Sequence, residues 1–189
     1  MKLIEPFELF EPFFKLFKTK RMKHNLAMDF SVDKDNRKIT VKRDFAAGLP
    51  LVWDAYTKSE ILDQWWAPKP WKAKTKTMDF RDGGTWLYAM VGPEGEEHWS
   101  LVNYIKIHPQ HSFSGVDAFS DDKGVINKEM PQSKWEVSFE EKGKELTGVQ
   151  MLISYDDLAQ LEATIEMGFK EGLGMGMENL DELLEKLKK

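Results

Sequence analysis

Cysteine is absent from all 189 residues. That gap excludes disulfides, thiolate metal centres, iron–sulfur clusters and a cysteine nucleophile, and it suits a reducing, cytoplasmic setting. Long apolar runs are missing too. Hydrophobic residues make up 41% of the chain and charged residues 31%, with a mean hydropathy of −0.51, which excludes both a membrane-spanning protein and a disordered one. An excess of positive charge is also lacking. The formal net charge of −5 argues against a nucleic-acid partner, whose binding rests on Lys and Arg at phosphates. No phosphate loop, dinucleotide fingerprint or Ser–His–Asp set can be assembled, because Gly172-Leu173-Gly174-Met175-Gly176 has no preceding strand. Rings are what the chain has in abundance: 12 Phe, 7 Trp and 4 Tyr.

Charge is distributed unevenly. Residues 1–44 hold 11 Lys/Arg against 7 Asp/Glu, while residues 45–189 hold 16 against 25. Near the start, Leu3, Ile4, Phe7, Phe10, Phe14 and Phe17 recur at helical spacing with Glu5, Glu8, Glu11, Lys15 and Lys18 opposite. Pro12 would kink that helix, and Lys15, Lys18, Lys20, Arg21 and Lys23 follow as a basic run. Glutamates interrupt the apolar face too often for a secretory signal. Three readings of residues 1–28 stand open: a helix on a membrane surface, a segment packed on its own domain or a sister subunit, or a dispensable extension with Met22 or Met28 as the natural start.

From residue 29 onward a single domain is expected. Ile39, Val41, Arg43 and Phe45 alternate with polar residues as a first strand. Pro50 suits the first turn of a short helix, and Ser59 with Glu60 suits the start of a second that ends at Trp65-Trp66. Hairpins follow through 72–80, 85–91, 99–107, 112–119, 134–140 and 146–155, with turns at Asp82-Gly83-Gly84 and Gly92-Pro93-Glu94-Gly95. Asp156-Asp157 then opens one long helix, whose stripe is Leu161, Ile165, Gly168, Gly172, Gly176, Leu180, Leu183 and Leu187. Strands in a run with segregated helices make the class α+β.

This order resembles the SRPBCC superfamily, the START and birch-pollen-allergen-like helix-grip proteins. Within it the chain is most similar to the branch named after the activator of the ninety-kilodalton heat-shock chaperone ATPase. The matching words are Leu49-Pro50-Leu51-Val52-Trp53-Asp54-Ala55, Trp65-Trp66, Met78-Asp79-Phe80-Arg81-Asp82-Gly83-Gly84-Thr85-Trp86 and Gly168-Phe169 with Leu180-Asp181-Glu182-Leu183. They span about residues 38–189. Phe169 departs from the Gly-Trp more common there, keeping the ring and losing the indole donor. The resemblance implies a curved antiparallel sheet of about seven strands gripping a long C-terminal helix, with two short helices after the first strand. It implies a cavity between sheet and helix, and a family of carriers, cyclases and proteins without an assigned role. A pocket follows from that, and a reaction does not.

Candidate cavity residues follow from parity and chemistry. Trp86, Tyr88 and Met90 share a strand face, as do Phe113, Asp117 and Phe119. Trp65, Trp66, Met167, Phe169 and Met175 would close the wall, and Gly172 would leave volume. Rings and Met at such spacing are more often core than site, and the glycines also read as points of close helix packing or as a break in the helix. Asp117 would be a carboxylate in an apolar setting unless the sheet bulges and turns it to water. His98, His108 and His111 sit at strand ends near Glu96 and Glu97, but no ligand spacing marks them, so no metal is expected. No cofactor and no catalytic set is called for.

The leading expectation is binding of a small apolar or aromatic molecule in the cavity, without catalysis. A chaperone partnership follows from the family name alone. An enzyme of the cyclase or hydrolase kind would use Asp117, a histidine or Tyr88. A homodimer is a candidate assembly, and no membrane span is expected.

Overall fold

A computed structural model describes residues 27–188. The amphipathic helix expected near the start, the basic run after it and His24 lie outside the described residues. One antiparallel sheet organises the rest. Its strands are β1 (Asp29–Asp33), β2 (Lys38–Phe45), β3 (Lys72–Met78), β4 (Thr85–Val91), β5 (Glu97–His108), β6 (Ser112–Phe119), β7 (Gln132–Gly143) and β8 (Leu146–Ser154). They lie side by side as β1-β2-β8-β7-β6-β5-β4-β3. Period-two alternation builds one inner face. Ile39 and Val41 pair with Ile153 and Met151, Phe139 with Val149, and Val137 with Met151.

The sheet has one strand more than the sequence pattern implied. β1 is short, mostly exposed and at the sheet edge, joined to β2 by a turn in which the Asn36 amide donates to Asp33 Oδ1 at 3.0 Å. Its Phe30 ring approaches Phe169 at 6.3 Å. A five-residue edge strand with one anchoring ring carries almost no alternation to read.

Helices α1 (Leu49–Thr57) and α2 (Ser59–Leu62) follow β2, with Pro50 in the first turn of α1. Ser59 is the first helical residue of α2 and Lys58 stands at its cap, so the serine does not cap it. The expected single C-terminal helix is two: α3 (Leu158–Glu166) and α4 (Phe169–Leu187). Asp157 caps α3, accepting from the Gln160 amide at 2.9 Å. The break falls at Gly168, whose φ of 80° and ψ of 31° lie in the left-handed region. A single stripe drawn through both helices therefore fails at Ile165, before the break, and at Leu187, its last position. Leu161, Gly172, Gly176, Leu180 and Leu183 are buried, whereas Ile165 and Leu187 are exposed.

Besides its buried Leu and Met side chains, two contacts bring α4 against neighbouring elements. A Cβ at Gly176 would lie 3.2 Å from the Trp66 carbonyl oxygen and 3.4 Å from that of Trp65, so the helix touches backbone there. On the sheet side, the buried Arg43 guanidinium of β2 donates to Asp181 Oδ2. The outer face carries a smaller cluster of Leu87, Leu101 and Ala118 under Trp99 and Ile126. Among the described residues, no helix is long and apolar enough to cross a membrane.

The two central glycines of the helix pair should respond oppositely to alanine. Gly168→Ala forces a Cβ into left-handed backbone and costs about 1–2 kcal/mol. Gly174→Ala meets only the Met28 methyl at 3.5 Å, and removing glycine from a helix interior gains about 0.5–1 kcal/mol. Urea unfolding of both variants reads the contrast, and an unchanged midpoint for Gly168→Ala refutes the strained turn.

Candidate functional site

Aromatic packing fills only one end of the sheet's inner face. There Trp53 meets Phe139 at 5.1 Å and Phe80 at 5.9 Å, Phe80 meets Tyr104 at 4.9 Å, and Tyr56 meets Trp65 at 4.9 Å, nearly all edge-on. Edge-to-face rings pack well and close that end. At the other end the helices stand off the sheet and leave a cavity of about 140 Å³. Its floor is Tyr88 and Met90 of β4, His98 and Ser100 of β5, Asp117 and Phe119 of β6, and Ser133 and Trp135 of β7. Tyr155 and Pro131 continue the floor, while Trp66 and Pro68 form a side. Thr164, Met167, Phe169, Gly172 and Leu173 form the roof. A second void of about 30 Å³, with room for about one water, adjoins it through Trp66, Trp135 and Asp117.

Register and the helix break together assemble this site. Tyr88 lies opposite Ser100 and Ser100 opposite Phe119, while Asp117 lies between Val102 and Ser133. Side chains at such paired positions share one face. The bulge in the β5–β6 ladder falls between Tyr104 and Lys106, away from Asp117, whose side chain faces the cavity. Because Gly168 turns the chain between helices, Met167 and Phe169 on either side of it both reach the roof.

Each indole here has a partner for its N–H. Trp66 Nε1 donates to the Tyr88 hydroxyl at 3.1 Å, Trp135 Nε1 to Ser133 Oγ at 2.8 Å, Trp86 Nε1 to Thr75 Oγ1 at 2.9 Å and Trp65 Nε1 to the Ala55 carbonyl at 2.9 Å. Asp117 stands in contrast: among the described residues no donor reaches its carboxyl group. The residue is half-buried, yet the surface it keeps borders the cavities rather than bulk water. Burial pushes its pKa up to about 7. The Tyr88 and Tyr155 hydroxyls feel that carboxylate, and burial raises both, Tyr155 to about 12. Ser100 neighbours the Tyr88 hydroxyl, and Thr164 and Ser133 neighbour that of Tyr155. His98 stacks obliquely on Trp71 at 5.2 Å, and burial lowers its pKa against a smaller opposing effect of Glu96. The cavity thus has aromatic walls, a polar patch of hydroxyls and one carboxyl group.

Comparison with known proteins places this geometry. The model of the family described as Activator of Hsp90 ATPase homolog 1-like protein matches residues 46–185. The chain belongs to this family. Protein Ms6760 from Mycobacterium smegmatis superposes with a TM-score of 0.77 at 28% identity, over 84% of this chain and 97% of that one. A protein from Staphylococcus epidermidis gives 0.72 at 26%, over 82% and 94%. A protein from Arthrobacter aurescens gives 0.78 at 24%, over 84% and 91%, a likeness of fold. No curated protein matches the chain in sequence.

Within this Hsp90-ATPase-activator-like fold, the twelve residues singled out from sequence fall into three groups. Trp66, Tyr88, Met90, Asp117, Phe119, Met167, Phe169 and Gly172 border the larger cavity. Trp86 and Phe113 border only the smaller void. Trp65 is core, and Met175 borders neither space. Trp135 was legible only as one side of an alternating strand, and Ser100, Ser133 and Thr164 carried no signal until their register was known. Tyr155 ends its strand, where parity says little. The histidines do not converge: His98 lines the cavity while His108 and His111 are exposed. No cluster of metal-ligating side chains occurs among the described residues.

Asp117 should make stability depend on pH in a defined direction. Its folded value lies above its unfolded one, so ionisation disfavours the folded state. The effect is absent below about pH 4, grows as the unfolded chain ionises first, and is complete above about pH 7. Relative to wild type, Asp117→Asn should gain on the order of 1–4 kcal/mol between pH 4 and pH 8. Thermal unfolding of both proteins across that range checks it, and a pH-independent difference rejects a carboxyl shifted by burial.

Proposed function

We propose that this protein binds a small molecule with an apolar or aromatic body in the cavity between its sheet and the α3–α4 pair. The observation that carries the reading is a void of about 140 Å³, walled by Trp66, Trp135, Phe119 and Phe169, beside a region where Trp53, Tyr56, Phe80, Tyr104 and Phe139 pack closely. An engineered apolar cavity of about 150 Å³ admits benzene, so the space suits a single-ring ligand. Met90 and Met167 in the wall supply pliable surface. Asp117 and the hydroxyls orient the guest rather than attack it, because no activated nucleophile adjoins them. A cytoplasmic setting fits a chain without cysteine.

The family's name supports a second reading, contact with a heat-shock chaperone through the outer surface. That role would leave the cavity untouched. Self-association into a homodimer is compatible with either.

Toluene and indole should raise the melting temperature of the full chain. Ligand at one hundred times its Kd stabilises by about 2.7 kcal/mol. Met90→Trp, which adds bulk to the wall, should abolish the shift while leaving the fold intact by circular dichroism. Failure of every single-ring probe to shift melting at millimolar concentration ends the cavity reading. The chaperone reading predicts a changed ATPase rate when purified chaperone and this protein are mixed, and an unchanged rate ends it.

A further inference from the structure

The binding reading leaves one group in the cavity unexplained. A carboxyl group without a donor partner sits where the chain had every opportunity to place an apolar side chain. Its register neighbours across the ladder are Val102 and Ser133. Among the described residues, neither Lys nor Arg lines the cavity. His98, the remaining basic group in the wall, is held toward its neutral form by burial and supplies no fixed positive charge. The cavity that Asp117 borders is also lined by Trp66, Trp135, Phe119 and Phe169, and by the hydroxyl-bearing Tyr88, Tyr155, Ser100, Ser133 and Thr164.

Three kinds of guest can be weighed against that wall. An anionic guest, such as a carboxylic or fatty acid, would meet the Asp117 charge with no lining cation to offset it. A neutral hydrocarbon would leave the carboxyl group buried and unpartnered, which is costly. A protonated nitrogen supplies both things missing: a countercharge for Asp117 and N–H donors for the carboxylate and surrounding hydroxyls. Ring quadrupoles favour the same guest, since aromatic faces attract a desolvated cation.

We infer that the cavity is built for a small organic amine, with Asp117 as the counterion of its protonated nitrogen and the Trp66, Trp135 and Phe169 rings enclosing its apolar body. The inference rests on the ligand-binding reading and narrows it to a substrate class. The raised pKa of Asp117 agrees with it, because the group waits near neutrality for a partner that would hold it ionised.

Calorimetric titration of the full chain at pH 7.5 with four probes of one shape tests this: benzylamine, benzyl alcohol, toluene and benzoate. Wild type should bind benzylamine about tenfold or more tighter than benzyl alcohol or toluene, and should reject benzoate. Asp117→Asn should lose the preference for the amine while keeping its toluene affinity. Benzylamine binding to wild type should also release a fraction of a proton, seen as a binding heat that varies with the ionisation enthalpy of the buffer, which toluene binding lacks, a readout needing no variant. Toluene binding without an amine preference overturns the amine inference and leaves the cavity reading intact. A preference that survives in Asp117→Asn, or tight benzoate binding, also overturns it. Failure of all four probes overturns both.

Discussion

The molecule depends on how one sheet face is covered. Eight strands present a single concave surface of rings, aliphatic residues and a few polar groups, and two helices meeting at Gly168 have to close it. A straight helix would cover a straight stripe. The left-handed turn at Gly168 lets α3 and α4 follow different directions over the curved face, at the cost of the hydrogen bonds a continuous helix would make there. The middle of α4 comes close enough to touch the Trp65 and Trp66 carbonyls through Gly176, and Arg43 pairs with Asp181 further along it. The segment around the turn stays higher. A space opens under the break because contact is closest elsewhere.

That division of labour explains how one chain holds both a dense core and a void. At the closed end, Trp53, Tyr56, Phe80, Phe113 and Phe139 tile edge to face. At the open end, the indoles of Trp66 and Trp135 are pinned by hydrogen bonds to Tyr88 and Ser133. A pinned ring cannot rotate to fill neighbouring space as a Leu or Met would. The polar tip that satisfies each indole also holds its ring in the wall.

Much of the fold was legible because it rests on local periodicity. The strand alternation of Ile39, Val41, Arg43 and Phe45, the turn at Asp82-Gly83-Gly84 and the cap at Asp157 are local signals, and each element formed where its pattern lay. The break at Gly168 was harder to read. A glycine at a helical interval looks the same whether it permits close packing or a turn, and only the direction of the sheet beneath it decides. β1 carries little signal because edge strands avoid the strong pattern that would announce them. The site divides in the same way. Parity placed Tyr88, Met90, Asp117 and Phe119 on a common face, since they lie on regular strands. His98 looked like a solvated hairpin end, but burial against Trp71 depends on a loop from another part of the chain. Trp65 and Trp66 are adjacent in sequence and part company in space, one into the core and one into the cavity wall, which no composition argument separates.

Family membership accounts for the sheet and its covering helices, and the chemistry at the open end is a separate matter. A scaffold needs a filled interior, and packing alone would favour Val, Leu or Ile at position 117, between Val102 and Ser133. A carboxyl group whose pKa is raised by burial is expected to lower stability near neutral pH, and it contributes no hydrogen bond to the described structure. Arg43 makes the opposite case. It too is buried on the inner face, but it ties β2 to α4 through Asp181, so its charge has structural work within the fold. The two buried charges obey one electrostatic rule and differ in where the partner comes from. Arg43 finds its partner in the chain, and Asp117 faces a space where a partner can arrive.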